Sequence, residues 1–252
     1  MSAPWSAVRP LLRAALPLAA SAGLFARPLS SDAKAKCTRW VVREASGFAP
    51  RESPTPLVLL RSPGITWPGV DKATEAEWAP WADMLSQRGY TTVEVDVSAA
   101  ADEASPSPVI AASKALNSQL RMLGIPFAPI VIASGPASLV AQAYVSDFPA
   151  SGLVLVSPPP DADPRAEGDA AWPWPEFSYE PHFPILLVGD EAALEHTRVG
   201  RAAADGVGRG GKGVSLAPEI DGPRGDKTRY VSGGGGGADG QEVERWMDRA
   251  GY

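Results

Sequence analysis

The sequence predicts an α/β fold, a doubly wound and mostly parallel sheet flanked by helices, and two observations carry that expectation. First, short apolar runs recur at 57–60, 130–132, 153–156 and 185–188, with the valines of a further strand flanking Glu94 at 93–95. Each is too short for a buried helix and fits a strand covered on both faces. Second, segments of helical period stand between these runs, and strands alternating with helices build parallel sheets through right-handed crossovers. A length of 252 residues, 44% of them apolar, suffices for one such domain and an appendage but leaves no room for a second large domain.

Taken in order, residues 32–55 form an extension containing a strand at 38–43 (TRWVVR) and a Pro-containing turn, and the main domain spans 56–252. The run PLVLL at 56–60 is the next strand. Trp78, Trp81, Ala82 and Leu85 recur at helical spacing, and 89–96 reads as a helix stop followed by a strand. Val109, Ala112, Leu116, Leu120 and Leu123 mark one helix face, closed by Gly124. A strand entering at 128–133 is followed by a turn and a helix. Further strands are expected at 152–157 and 184–190, then a helix over 191–204 and a last helix carrying Val243, Trp246 and Met247.

The segment IVIASGPASLVAQAY at 130–144 is the most informative. It resembles the strand, sharp turn and helix that carry the nucleophile in α/β-hydrolases. From about residue 55 onward the element order also resembles a small esterase of that family. The family motif is G-x-S-x-G, a serine on a strained turn with small residues two before and two after it. Ala133 and Ala137 hold the small positions, and Gly135 stands where the serine would be. The residue after the nucleophile normally donates its N–H to the oxyanion, and Pro136 has none to give. The loop after the 56–60 strand usually opens with His-Gly, and here it opens with Arg61 and Ser62.

The resemblance also implies a triad in the order Ser, acid, His. Asp190 occupies the acid position, although a carboxylate there reads first as a strand-end or helix-capping residue. The only histidines are His182, ahead of Asp190, and His196, just after it; residues 221–229 hold no imidazole. Nucleophile, adjacent oxyanion donor and base are thus all missing, and a serine without a base has nothing to take its proton. The expectation is a pseudoenzyme that acts by binding a protein partner or a small apolar ligand, without cofactor or metal. The alternative is a weak serine esterase or thioesterase using Ser134 with Asp190 and a displaced His182. That register puts Ile132 and Pro136 in the positions that must be small, and Ser138 falls inside the helix.

Twenty-nine acidic against 23 basic residues give a formal charge of −6. No basic stripe interleaves with aromatics, so nucleic acid is not an expected partner. Residues 1–31 hold Arg9, Arg13 and Arg27 and no acidic side chain, with Trp5, Val8, Leu12 and Leu16 on one helical face. That is the pattern of a mitochondrial presequence, and a matrix location is expected. The alternative is a secretory signal, against which the lone Cys37 gives no sign of an oxidising destination. The apolar part is too short for stable membrane insertion.

Residues 206–213 (GVGRGGKG) match G-x-G-x-x-G, yet they follow an expected helix, whereas a phosphate loop follows a strand and opens a helix. They read as a flexible connection, and the glycines at 233–237 as a slack linker. At the cap position, the insertion 158–183 is Pro-rich and aromatic, with Trp172, Trp174, Phe177, Tyr179 and Phe183. It reads as a stiff loop folded over the sheet edge, or as an exposed patch for a partner.

Overall fold

The computed structural model describes residues 35–63, 65, 78–99, 107–160, 183–189, 193, 194, 196, 197, 199, 200 and 238–252. The expectations for 1–31, for the glycine runs at 206–213 and 233–237, for Trp172, Trp174, Phe177 and Tyr179, and for Asp190 and His182 lie outside these residues.

The described elements are β1 (Ala35–Arg43), β2 (Ser53–Arg61), α1 (Ala79–Gln87), β3 (Tyr90–Ala99), α2 (Pro108–Met122), β4 (Ile130–Ser134), α3 (Ala137–Asp147), β5 (Gly152–Val156), β6 (Ile185–Val188) and α4 (Ala238–Ala250). The strands form one six-stranded sheet in the order β1-β3-β2-β4-β5-β6. Five are parallel neighbours and β1 lies antiparallel on β3 at the edge. The strand leading into the glycine turn, β4, sits between β2 and β5.

Period-two alternation sorts the strands' side chains onto two faces. Val58, Leu60, Val93, Val95, Val131, Ala133, Leu153 and Leu155 join Val109, Ala112 and Leu116 of α2 and Leu139, Val140 and Tyr144 of α3. Their sequence neighbours Leu57, Leu59, Ile130, Ile132, Val154 and Leu186 join Trp81, Ala82 and Leu85 of α1 and Val243, Trp246 and Met247 of α4. Apolar side chains at consecutive positions are therefore explained: both faces of the central strands are covered by helices.

The helix over 191–204 is corrected. His196 and Thr197 form a turn, with the N–H of Thr197 donated to Leu194 O at 3.0 Å. The Thr197 hydroxyl donates to Leu194 O and accepts the Gly200 N–H at 3.0 Å. A threonine side chain competing for backbone groups ends one turn and caps the next. Gly200 fits because a Cβ there would stand 2.1 Å from Leu194 O.

Candidate functional site

The site is built at the C-terminal edge of the sheet, where β4 stops and α3 begins. Ala133 is buried, paired in register with Leu60 and Leu155. Ser134 is the last residue of β4, half-buried and in register with Val156. Alternation puts it on the same face as Ile130 and Ile132, toward α1 and α4. Gly135 follows with φ of 54°, a conformation that glycine adopts without a Cβ penalty. Pro136 then takes φ of −60° and ψ of −26°, preset for the helix it starts. Ala137 is 1% exposed, which leaves no space there for a larger side chain without rearrangement.

Hydrogen bonding decides what this turn can do. Gly135 donates its N–H to Val156 O at 2.9 Å, Ser138 donates to Gly135 O at 3.0 Å and Leu139 to Pro136 O at 3.1 Å. A nucleophile at Ser134 would need the Gly135 N–H for its oxyanion, and the sheet already holds that group. A nucleophile at position 135 would need an N–H from Pro136, which proline lacks. Ser138 is fully buried in the first turn of α3, and its hydroxyl has no hydrogen-bond partner among the described residues.

The neighbouring strand ends are similarly committed. Arg61, at the end of β2, grips Asp96 of β3 in a two-pronged ion pair, Nε to Oδ1 at 2.7 Å and Nη2 to Oδ2 at 2.8 Å. Ser62 is buried and donates its hydroxyl to Val97 O at 3.1 Å. Beneath them the buried Trp78 indole donates to Leu60 O at 3.2 Å. Asp96 had not been singled out from the sequence. Its signal was present, an arginine and an aspartate at the ends of two adjacent strands, but reading it requires knowing that β2 and β3 are neighbours. Ser157 was also missed: just past β5 it takes φ of 45°, unusual for a residue with a Cβ, and donates its N–H to Val188 O at 2.7 Å. Pro158, which follows directly, disfavours a right-handed helical conformation for Ser157 but does not name this one.

Among the other candidates, His196 is exposed and its N–H bonds to Ala193 O at 3.2 Å. Cys37 lies on β1, its thiol donating to Ala115 O at 3.6 Å, and burial pushes it up to about 11. A thiol so raised is a poor nucleophile at neutral pH. Phe183, where the cap-position insertion returns to β6, packs half-buried against the α2 and α3 side. Among the described residues no three His, Cys, Asp or Glu side chains are grouped to hold a metal ion, and no helix is long and apolar enough to cross a membrane.

The chain as a whole has counterparts among solved structures. The fold is a mixed, mostly parallel six-stranded sheet flanked by helices, and the structures it is similar to include α/β-hydrolases. The chain is similar to a dipeptidyl aminopeptidase IV candidate from Bacteroides ovatus at 10% identity and a TM-score of 0.50, over 85% of this chain and 35% of that one. It is similar to esterase PE8 at 14% identity and a TM-score of 0.47, over 85% of this chain and 98% of that one. An α/β hydrolase enzyme from the sediment metagenome of the Mar Chica lagoon in Morocco matches at 10% identity and a TM-score of 0.47, over 85% and 97% of the two chains. No family model and no curated protein sequence matches the chain. The α/β-hydrolase fold does not by itself assign an activity, which depends on the groups at the turn.

Proposed function

We propose that this chain is a catalytically degenerate α/β-hydrolase-fold protein that acts by binding, as a component of a mitochondrial matrix complex or as a binder of a small apolar ligand. The observation that carries the reading is the state of the backbone donors at the turn. The Gly135 N–H is held by Val156 O, Pro136 has no N–H, and position 135 carries no nucleophile. Electrostatic stabilisation of the oxyanion is commonly the largest catalytic term, and one donor is worth about 100- to 1000-fold in turnover. Removing a nucleophile or its base costs on the order of a million-fold in a serine hydrolase. These losses do not add, yet the larger alone leaves almost nothing.

The test is labelling by a fluorophosphonate probe together with turnover of short-chain aryl esters and acyl thioesters. Neither labelling nor turnover is expected, and Gly135→Ser alone restores neither, because Pro136 still withholds a donor. Labelling of the native chain that disappears in Ser134→Ala would overturn the reading and install the esterase alternative. The matrix location is tested separately by peptide mapping of the protein from purified mitochondria, where residues 1–31 are expected to be absent.

A further inference from the structure

We infer that the cavity at the N-terminal edge of the sheet, opposite the glycine turn, is a binding site for a small organic cation with an apolar body. The cavity measures about 650 Å³, within the roughly 300–1,000 Å³ of ordinary small-molecule sites. It exists because α2 ends early. Gly124, with φ of 65°, turns the chain away from the sheet, and residues 123–127 become one wall. The lower ends of β1 and β3, which α2 no longer covers, form the floor. Val42 and Val93 are paired across these strands on the α2 face. Val93 is buried, whereas Val42 is 48% exposed and Phe127 on the wall is 54% exposed.

The opposite rim carries Glu44 and Glu52 from the connection between β1 and β2. Each has an arginine beside it in sequence, and neither arginine serves it. Arg43 is paired with Asp83 at 3.0 Å and Glu94 at 3.6 Å, and Arg51 is bonded to Asp248 and, at 3.1 Å, to the Tyr90 hydroxyl. The basic side chains are drawn to the α1 and α4 side of the sheet. The two carboxylates remain on the cavity side with no ion-pair partner among the described residues. Two uncompensated carboxylates facing an apolar floor and an exposed aromatic ring match a ligand with an ammonium group at one end and hydrocarbon or a ring at the other. An anion of the same shape meets repulsion, and a neutral one gains only the apolar contacts.

This inference gives the binding reading a site and a ligand class, and it is tested independently of the glycine turn. The full chain is titrated with 4-phenylbutylammonium, 4-phenylbutanol and 4-phenylbutyrate, following ligand signals by NMR and heat by calorimetry. Saturable binding of the amine is expected, about tenfold tighter than the alcohol, with the carboxylate weakest and the amine's advantage falling as salt is raised. The double substitution Glu44→Gln, Glu52→Gln should erase most of that advantage while leaving the alcohol unchanged. Phe127→Ala should weaken amine and alcohol alike, by about fivefold. All three positions are exposed, so unchanged melting of the variants is expected and keeps the comparison clean. Failure of all three compounds to bind saturably, equal binding of amine and carboxylate, or an amine preference that survives the double substitution would each overturn the proposal. Fluorophosphonate labelling bears on the elbow alone and moves none of these outcomes.

Discussion

At the C-terminal edge of the sheet the Gly135 N–H, the Arg61–Asp96 pair and the Ser62 hydroxyl are all hydrogen-bonded, whereas at the N-terminal edge two carboxylates face a cavity with no ion-pair partner among the described residues. The contrast follows from where the helices begin and end. Leaving β4, the chain passes through Gly135 and Pro136 straight into α3, so strand, turn and helix are packed without a gap. Returning from α2, it crosses residues 123–129 before entering β4, and that longer path leaves strand ends uncovered. Sites in open parallel sheets ordinarily lie beyond the carboxyl ends of the strands. Here the uncommitted groups lie at the other end. On the proposed reading, a fold that lacks chemistry at one edge can still recognise a ligand at the other, because the two sets of groups occupy different loops.

The strongest way to break this comparison is to move the loop that carries Glu44 and Glu52. Gly89, with φ of 97°, lies against that loop: its carbonyl accepts the Ser53 N–H at 2.8 Å, and a Cβ on it would stand 1.7 Å from Arg51 O. Gly89→Ala therefore combines a disfavoured backbone conformation with a backbone clash, and a loss of about 3 kcal/mol or more in chemical denaturation is expected. The same variant should lose the preference for cations. A stable Gly89→Ala protein with unaltered ligand binding would mean that the turn does not fix the rim. Cys37, packed under α2, gives the next largest effect. With its thiol pushed up by burial to about 11 from an ordinary 9.0, the thiolate at neutral pH is about 100-fold rarer than for an unburied thiol, and alkylation should slow by that factor. The neutral thiol is favoured in the folded state, so its contribution to stability is complete below about pH 9 and is lost as pH rises toward 11. Alkylation at the rate of a free thiol would show that β1 separates from α2.

The parallel core was legible because its physics is local. A run such as 57–60 is apolar at every position, and only a strand covered on both faces asks for that in so few residues. The edge was harder. Residues 38–43 read as a strand, but nothing in them states that β1 runs antiparallel or reaches back to Ala35, since its pairing with β3 depends on residues 49 (Arg43 to Thr92) to 64 (Ala35 to Ala99) positions away. At the site, Gly135 and Pro136 were informative because glycine and proline have backbone consequences that no context removes. Arg61 was noticed only as a departure from a motif. Its partner Asp96 could not be assigned, since 35 residues separate them and only the sheet order makes them neighbours. The break at Thr197 was obscured because the apolar spacing around it also suits an uninterrupted helix.

The ion pair at the elbow edge offers a sharper and smaller test. Arg61 and Asp96 are 21% and 14% exposed, and two aligned charged hydrogen bonds hold them. Asp96→Asn removes the carboxylate from this two-pronged pair, and a loss of about 2 kcal/mol is expected, between the values for surface and fully buried pairs. Replacing both residues, Arg61→Leu with Asp96→Leu, should cost less than the sum of the single changes in a double-mutant cycle. Additive losses would mean that the pair is incidental to the closed state of this edge. On the strained side of the same edge, Ser157→Gly should stabilise by about 0.5–1 kcal/mol, since glycine accepts the φ of 45° without a Cβ penalty.

Ser138 supplies the most discriminating of the small effects, because stability and chemistry predict opposite outcomes for it. Its hydroxyl is fully buried in the first turn of α3 and makes no hydrogen bond among the described residues. A hydroxyl removed from water without a partner costs about 1–3 kcal/mol, and alanine is also the better helix former by about 0.5 kcal/mol. Partial relaxation around the site returns some of this, so Ser138→Ala is expected to raise stability by about 1 kcal/mol, read as a higher denaturant midpoint at constant slope. A closed, unreactive elbow requires that gain. If Ser138→Ala instead lowers stability, the hydroxyl has a partner. If it also removes a fluorophosphonate signal from the native protein, the partner is part of a reactive site, and the division between a closed edge and a recognising edge fails.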